Sequence, residues 1–157
     1  MSSTAVASGK VEYTDSENRN ALFAVKAHLI AGLSVFLLMM LGGLTMRAAQ
    51  GTWIEIGVDL FYQIMTVHGV GVVGAAMIAS TGVQWHFLRK YVRLSNAIFW
   101  TNFFIFLTGV VMILGSIFLG GYGGAWTFLY PLPAIYMGAW STGAAAVFQL
   151  GLPGLAS

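Results

Sequence analysis

Few side chains in this sequence have chemistry to offer, and three histidines and an arginine lead them. His68 sits between Val67 and Gly69 in a long apolar run. On a helix its neighbours at i+3, i+4 and i+7 are Gly71, Val72 and Ala75, with Gly74 close by, so that face is nearly flat. A flat face admits a neighbouring helix closely, as small-xxx-small patterns do. It also admits a planar macrocycle whose iron takes the imidazole. In either case the second ring nitrogen needs an acceptor. The residues alone leave both readings: a haem ligand, or a buried histidine hydrogen-bonded across helices.

The other candidates are weaker. His28 follows Lys26, and His86 stands beside Trp85 and close to Arg89, so both are expected to reach a membrane interface. No two histidines have the i, i+4 spacing of a helical metal site. No Asp or Glu lies inside an apolar run, so no intramembrane carboxylate relay is visible. There is no cysteine, which excludes disulfides, thiolate metal sites and a Cys nucleophile. Arg47 closes the first apolar run on the side away from most other cations. It suits an anionic or hydrogen-bonding partner, or an ordinary interfacial pairing with Glu55 or Asp59.

The elements that must hold these residues follow from composition. The chain has 157 residues, 58% hydrophobic and only 8% charged, with a mean hydropathy of +0.81. A soluble domain carries about 25% charged residues, so this sequence cannot coat a soluble fold. Disorder is excluded by the same numbers. Seven scattered Lys and Arg make no basic stripe, so no nucleic-acid partner is expected. An integral membrane protein in a lipid bilayer remains.

Four apolar runs are long enough to cross about 30 Å of hydrocarbon as helices: residues 21–46, 61–88, 96–119 and 134–155. They are continuous rather than alternating, which favours helices over barrel strands. The fold class expected is therefore an all-α membrane bundle of about four transmembrane helices. Residues 1–20 are polar and read as a mobile tail ahead of a transmembrane domain at 21–157. Lys10, Arg19 and Lys26 precede or open the first run, and Arg89, Lys90 and Arg93 fill the second connection. The positive-inside rule then puts the N-terminus and the 89–93 loop in the cytoplasm. His68 lies about eight residues into the second run from the outer side, roughly 10 Å deep. Trp53, Trp85, Trp100, Trp126 and Trp140 fall near the ends of runs, as aromatic belts do.

Residues 120–133 break the pattern. Their glycines and prolines forbid a regular helix, yet they carry Tyr122, Trp126, Phe128 and Tyr130. So aromatic a turn, with no charge, is expected to pack over something. The fourth run has no Lys or Arg to anchor its end, which favours a piece of a longer protein over a neutral tail emerging from the membrane.

At these residues the sequence resembles subunit I of the haem–copper terminal oxidases. Residues 61–70, Phe-Tyr-Gln-Ile-Met-Thr-Val-His-Gly-Val, are similar to the family's second helix, where Thr-x-His-Gly supplies an axial ligand of the low-spin haem. Residues 120–133 resemble its glycine-rich segment and the following Trp-Thr-x-Tyr-Pro-Pro-Leu, with the proline pair displaced here. Thr45-Met46-Arg47 is similar to the Met-Arg at the end of the first helix. The three segments occur in the family's order, from about residue 21 onward. The Tyr-Gln-x-x-Thr-x-His-Gly form is closer to the B-type branch, while Arg47 points to the other.

The resemblance implies that His68 is the iron ligand of a low-spin haem of a or b type. Arg47 would lie near the ring substituents, and Trp126 and Tyr130 would cover the outer, propionate side. It also implies that the chain is the N-terminal portion of a bundle of about twelve helices in the cytoplasmic membrane of a prokaryote. The second axial histidine, the high-spin haem, the copper and its ligands would come with the remaining helices. Partners would be those helices, subunit II and other oxidase subunits, and cytochrome c or quinol as electron donor. The loop 84–96 has no Asp, so the proton-channel entry of one branch is missing. Nitric oxide reductase, similar in this region, is an alternative. So is a small cytochrome b electron-transfer anchor, and a structural scaffold is the third class.

Overall fold

The computed structural model describes residues 11–124 and the backbone at 136–137. Three long helices make up almost all of it: α1 (Asp15–Gln50), α2 (Val58–Leu88) and α3 (Asn96–Leu114), the last prolonged by a π-helical turn at Gly115–Leu119. Each is long and apolar enough to cross a membrane. The described part of the chain is thus built of helices that can span a membrane, and α3 with its π turn covers the expected 96–119 run. The expected fourth run lies mostly outside the described residues. At its start, Tyr136–Met137 is extended and pairs antiparallel with Tyr122–Gly123, Tyr122 opposite Met137. Residues at both ends of the glycine- and proline-rich stretch are therefore side by side.

α1 begins earlier than its apolar run. Thr14 accepts a hydrogen bond from the Glu17 amide (3.2 Å), and the Glu17 carboxylate accepts one from the Thr14 amide (2.8 Å). This capping box satisfies two N-terminal donors reciprocally and starts the helix six residues before the apolar run. The segment expected to be a mobile tail is tied down from Tyr13 onward. The Tyr13 hydroxyl donates to the Val92 carbonyl and accepts from the Leu94 amide, both at 3.0 Å. The Arg89 guanidinium lies 3.8 Å over its ring. Asn96 donates to the Glu17 carbonyl, and the Trp100 indole donates to Asn20. These bonds lash the start of α1 to the α2–α3 loop at what we term the basic end of the bundle.

α1 and α2 lie against each other through small residues. A Cβ on Gly32 would stand 2.9 Å from the Ala79 Cβ and 3.0 Å from the Ala75 carbonyl oxygen. Such spacing requires glycine, because any side chain would force the helices apart. α3 completes the core in two places. Near the basic end, Phe99 is buried with Ala24 and Val25 of α1. Toward the opposite end, Phe106, Ile113 and Ile117 are buried with Val70 and Ile78 of α2, and with Tyr122. The outward faces carry large apolar side chains such as Phe23, Ile30, Leu33, Leu44 and Val111. An apolar exterior is what lipid or further helices require.

Candidate functional site

His68 is held by α1. Its Nδ1 is 2.7 Å from the Met39 carbonyl oxygen, a contact across 29 residues of sequence. A carbonyl can only accept, so Nδ1 carries the proton and the lone pair lies on Nε2. Among the described residues Nε2 has no hydrogen-bond partner and, unlike the Nε2 of His28, is not sealed among buried atoms. The face of the ring rests on Gly43, where a Cβ would come 3.0 Å from Cε1. Two residues earlier, the buried Thr66 hydroxyl donates to the Tyr62 carbonyl at 2.7 Å.

Donation from one imidazole nitrogen to a backbone carbonyl, with the other left as a free base, is the ordinary preparation of a metal-ligating histidine. These residues fit a haem iron at Nε2. Among the described residues no group of three or more His, Cys, Asp or Glu gathers into a metal-binding cluster. A metal at His68 would take its other ligands from a macrocycle or from elsewhere in the protein.

Arg47 lies in the last turn of α1 and is exposed. Met39, Gly43 and Arg47 recur at i, i+4 and i+8, one row along α1. The row gives His68 its acceptor and its contact surface, and ends in a cation one turn further on. Arg47 donates to the Gln50 side chain at 3.1 Å. Pairing with Glu55 or Asp59 does not form, since the described residues hold a single ion pair, Arg93–Glu17 at 3.4 Å. Trp126 and Tyr130 lie outside the described residues.

The flat face of α2 has an owner. Ala75 backs onto Gly32 of α1, and Gly71 faces the Met39 side chain, whose Cγ is 2.7 Å from where a Cβ would be. The small-residue seam is thus used for helix packing. Alongside His68 on α2, a small apolar groove of about 60 Å³ opens between the three helices, lined by Met39, Val67, Gly71 and Val110 among others.

His28 departs from its expected interfacial position. It is completely buried. Its Nδ1 is 2.8 Å from the carbonyl of Ala24, one turn back on its own helix. Its ring stacks on Phe99 at 3.9 Å and 4°, and Phe99 also stacks with Trp85 at 4.4 Å. Its Nε2 is buried, and the Asn102 side chain of α3 lies within reach of the ring. The reason is steric: Gly82 makes room, with a Cβ there falling 3.0 Å from the His28 Cβ. The signal in the sequence was the row Ala24, His28, Gly32, small residues one turn either side of the ring. His86 is exposed near the basic end, edge-on to Phe87, as expected. His28 meets α2 at Gly82 and His68 lies fourteen residues away, about 21 Å along the helix. The two cannot share one iron within a chain.

No family model matches the chain, nor does any curated protein or solved structure.

Proposed function

We propose that this chain is the N-terminal part of the catalytic subunit of a respiratory haem–copper oxidase, and that it supplies His68 as one axial ligand of the low-spin haem. The observation that carries the reading is the state of His68: Nδ1 committed to the Met39 carbonyl, Nε2 free as a base. The ordered resemblance of residues 45–47, 61–70 and 120–133 to that family supports it. When bound, the haem would pass single electrons toward an oxygen-reducing centre, coupled to proton translocation. His68 would hold the iron from the α2 side, and Met39 would fix the ring. Arg47, one turn beyond Gly43, would offer positive charge toward the ring substituents. Trp126 and Tyr130 keep the role the resemblance gives them, covering the propionate side. The copper, the high-spin haem and the second axial ligand would come from the remaining helices, with cytochrome c or quinol as donor.

The test is the reduced-minus-oxidised spectrum of the protein purified from its native membrane. A sharp low-spin haem signal is expected, and His68→Ala should abolish it while the chain still inserts. A wild-type preparation without haem, or an unchanged spectrum in His68→Ala, overturns the reading. A low-spin signal from the isolated chain, with two copies of His68 on one iron, would instead identify the small cytochrome b anchor. A non-haem iron in place of copper in the complete protein would identify a nitric oxide reductase.

A further inference from the structure

We infer that Gly43 is a positioning residue for His68: by lacking a side chain it keeps the Met39 carbonyl open to the imidazole and so sets which nitrogen carries the proton. In an α-helix the carbonyl of residue i already accepts from the amide of i+4, so the Met39 oxygen is the acceptor of the Gly43 N–H. The same oxygen lies 2.7 Å from His68 Nδ1. It therefore serves two donors, one from its own helix and one from α2. The His68 ring approaches it over residue 43, which stands one turn above the carbonyl on the same face.

The distances agree. A Cβ at 43 would stand 3.0 Å from Cε1, 3.5 Å from Nδ1 and 3.6 Å from Nε2 of His68. The Cε1 contact is tighter than an ordinary one, whereas the two nitrogens stand at ordinary contact distance, so the ring must give by a few tenths of an ångström at Cε1. Giving way from α1 lengthens the Nδ1 contact. Gly42 next door is different. A Cβ there meets only the Ile64 Cγ2 at 3.7 Å and the His68 Cβ at 4.0 Å, ordinary contact distances. The two adjacent glycines share helix propensity but not this role, so Gly42 is the internal control.

Without the carbonyl acceptor a neutral imidazole has no reason to hold its proton on Nδ1. Moving the proton to Nε2 puts an N–H where a metal needs a lone pair. That consequence for an iron rests on the haem reading above, whereas the tautomer itself does not.

The experiment is nitrogen NMR of the full chain in lipid nanodiscs, with labelled histidine and no haem added. Wild type should show His68 with a protonated, pyrrole-type Nδ1 and a pyridine-type Nε2. Gly43→Ala should lose that pattern, with the Nε2–H form becoming at least comparably populated. Gly42→Ala should keep the wild-type pattern. An unchanged His68 in Gly43→Ala, or equal changes in both variants, overturns the inference. Should Gly43→Ala fail to insert, the Met39 carbonyl can be read in the wild-type chain. Met39-Met40 is the only Met-Met pair in the sequence, so carbonyl-carbon and amide-nitrogen methionine labels together single it out. Its carbon resonance should move upfield in His68→Phe as one donor is lost, and a resonance that does not move overturns the inference. Haem binding failing with the tautomer intact would count against the oxidase reading alone.

Discussion

At the residue scale the two buried-side histidines make opposite predictions. Among the described residues, His68 spends one nitrogen on α1 and keeps the other free, whereas His28 bonds its own helix and encloses its second nitrogen within reach of Asn102. Enclosing an unpaired polar atom costs about 1–3 kcal/mol, and the stack on Phe99 returns only about 0.5–1.5 kcal/mol. His28→Leu removes the polar atom, keeps most of the volume and also removes the ring's contact with Asn102, so it should change stability by under about 1 kcal/mol. His28→Ala leaves a hole against Phe99 and should cost about 2–4 kcal/mol. Reversible unfolding in mixed micelles measures both. A loss above about 2 kcal/mol in His28→Leu would mean that Nε2 is bonded in the working protein, giving His28 a functional claim. Thr52 adds a smaller case. It is the one non-glycine described residue with positive φ, at 59°, which a β-branched residue adopts only with strain.

At the element scale the α1–α2 seam sorts its glycines by what they face. Gly32 faces backbone and Cβ atoms of α2, the Ala75 oxygen at 3.0 Å and the Ala79 Cβ at 2.9 Å. Neither can swing away. Gly71 faces the end of the Met39 side chain, which is unbranched and adaptable. Gly32→Ala should thus cost about 1–3 kcal/mol by forcing the helices apart, and Gly71→Ala under about 1 kcal/mol. Steric-trap unfolding of the two variants in bicelles checks the order, and equal costs would show that the seam is not close-packed. Hydropathy found the three described helices to within a few residues, because span length is a sum over apolar side chains. It missed the first turns of α1, where the Thr14–Glu17 capping box, not apolarity, decides the boundary. The sequence also showed a flat face on α2 but not its occupant. Small residues suit a helix and a macrocycle alike, and only the position of Gly32 on α1 assigns that face to helix packing.

At the scale of the whole molecule, the basic end is held by the N-terminal segment. Tyr13 carries two hydrogen bonds to the α2–α3 loop and lies under Arg89. Each bond contributes about 1 kcal/mol, so Tyr13→Phe should speed hydrogen exchange at the Leu94 amide about tenfold. Tyr13→Ala, which also removes the ring beneath Arg89, should speed it further. The Arg93–Glu17 pair, with Arg93 71% exposed, is worth little in water, so Glu17→Gln, which keeps an acceptor for the Thr14 amide, should change little, whereas Glu17→Ala should act mainly through the lost capping box. Exchange rates at Leu94 unchanged in Tyr13→Phe would show that the loop is held by something else.

Taken alone, the amino-acid order determined that this protein has helices long and apolar enough to span a membrane and that His68 lies within the second of them. It also determined that the cations collect at one end. These are properties of local sums, namely hydropathy over twenty residues and charge over a loop, and a linear sequence contains them in full. The tertiary structure alone decided which nitrogen of His68 is free, which histidine is sealed and what fills the flat face of α2. Each depends on an atom far away in the chain: the Met39 carbonyl, 29 residues before His68, or Gly82 and Phe99 around His28. A hydrogen-bond acceptor and a missing Cβ act over a few ångström, and only packing brings them within that range.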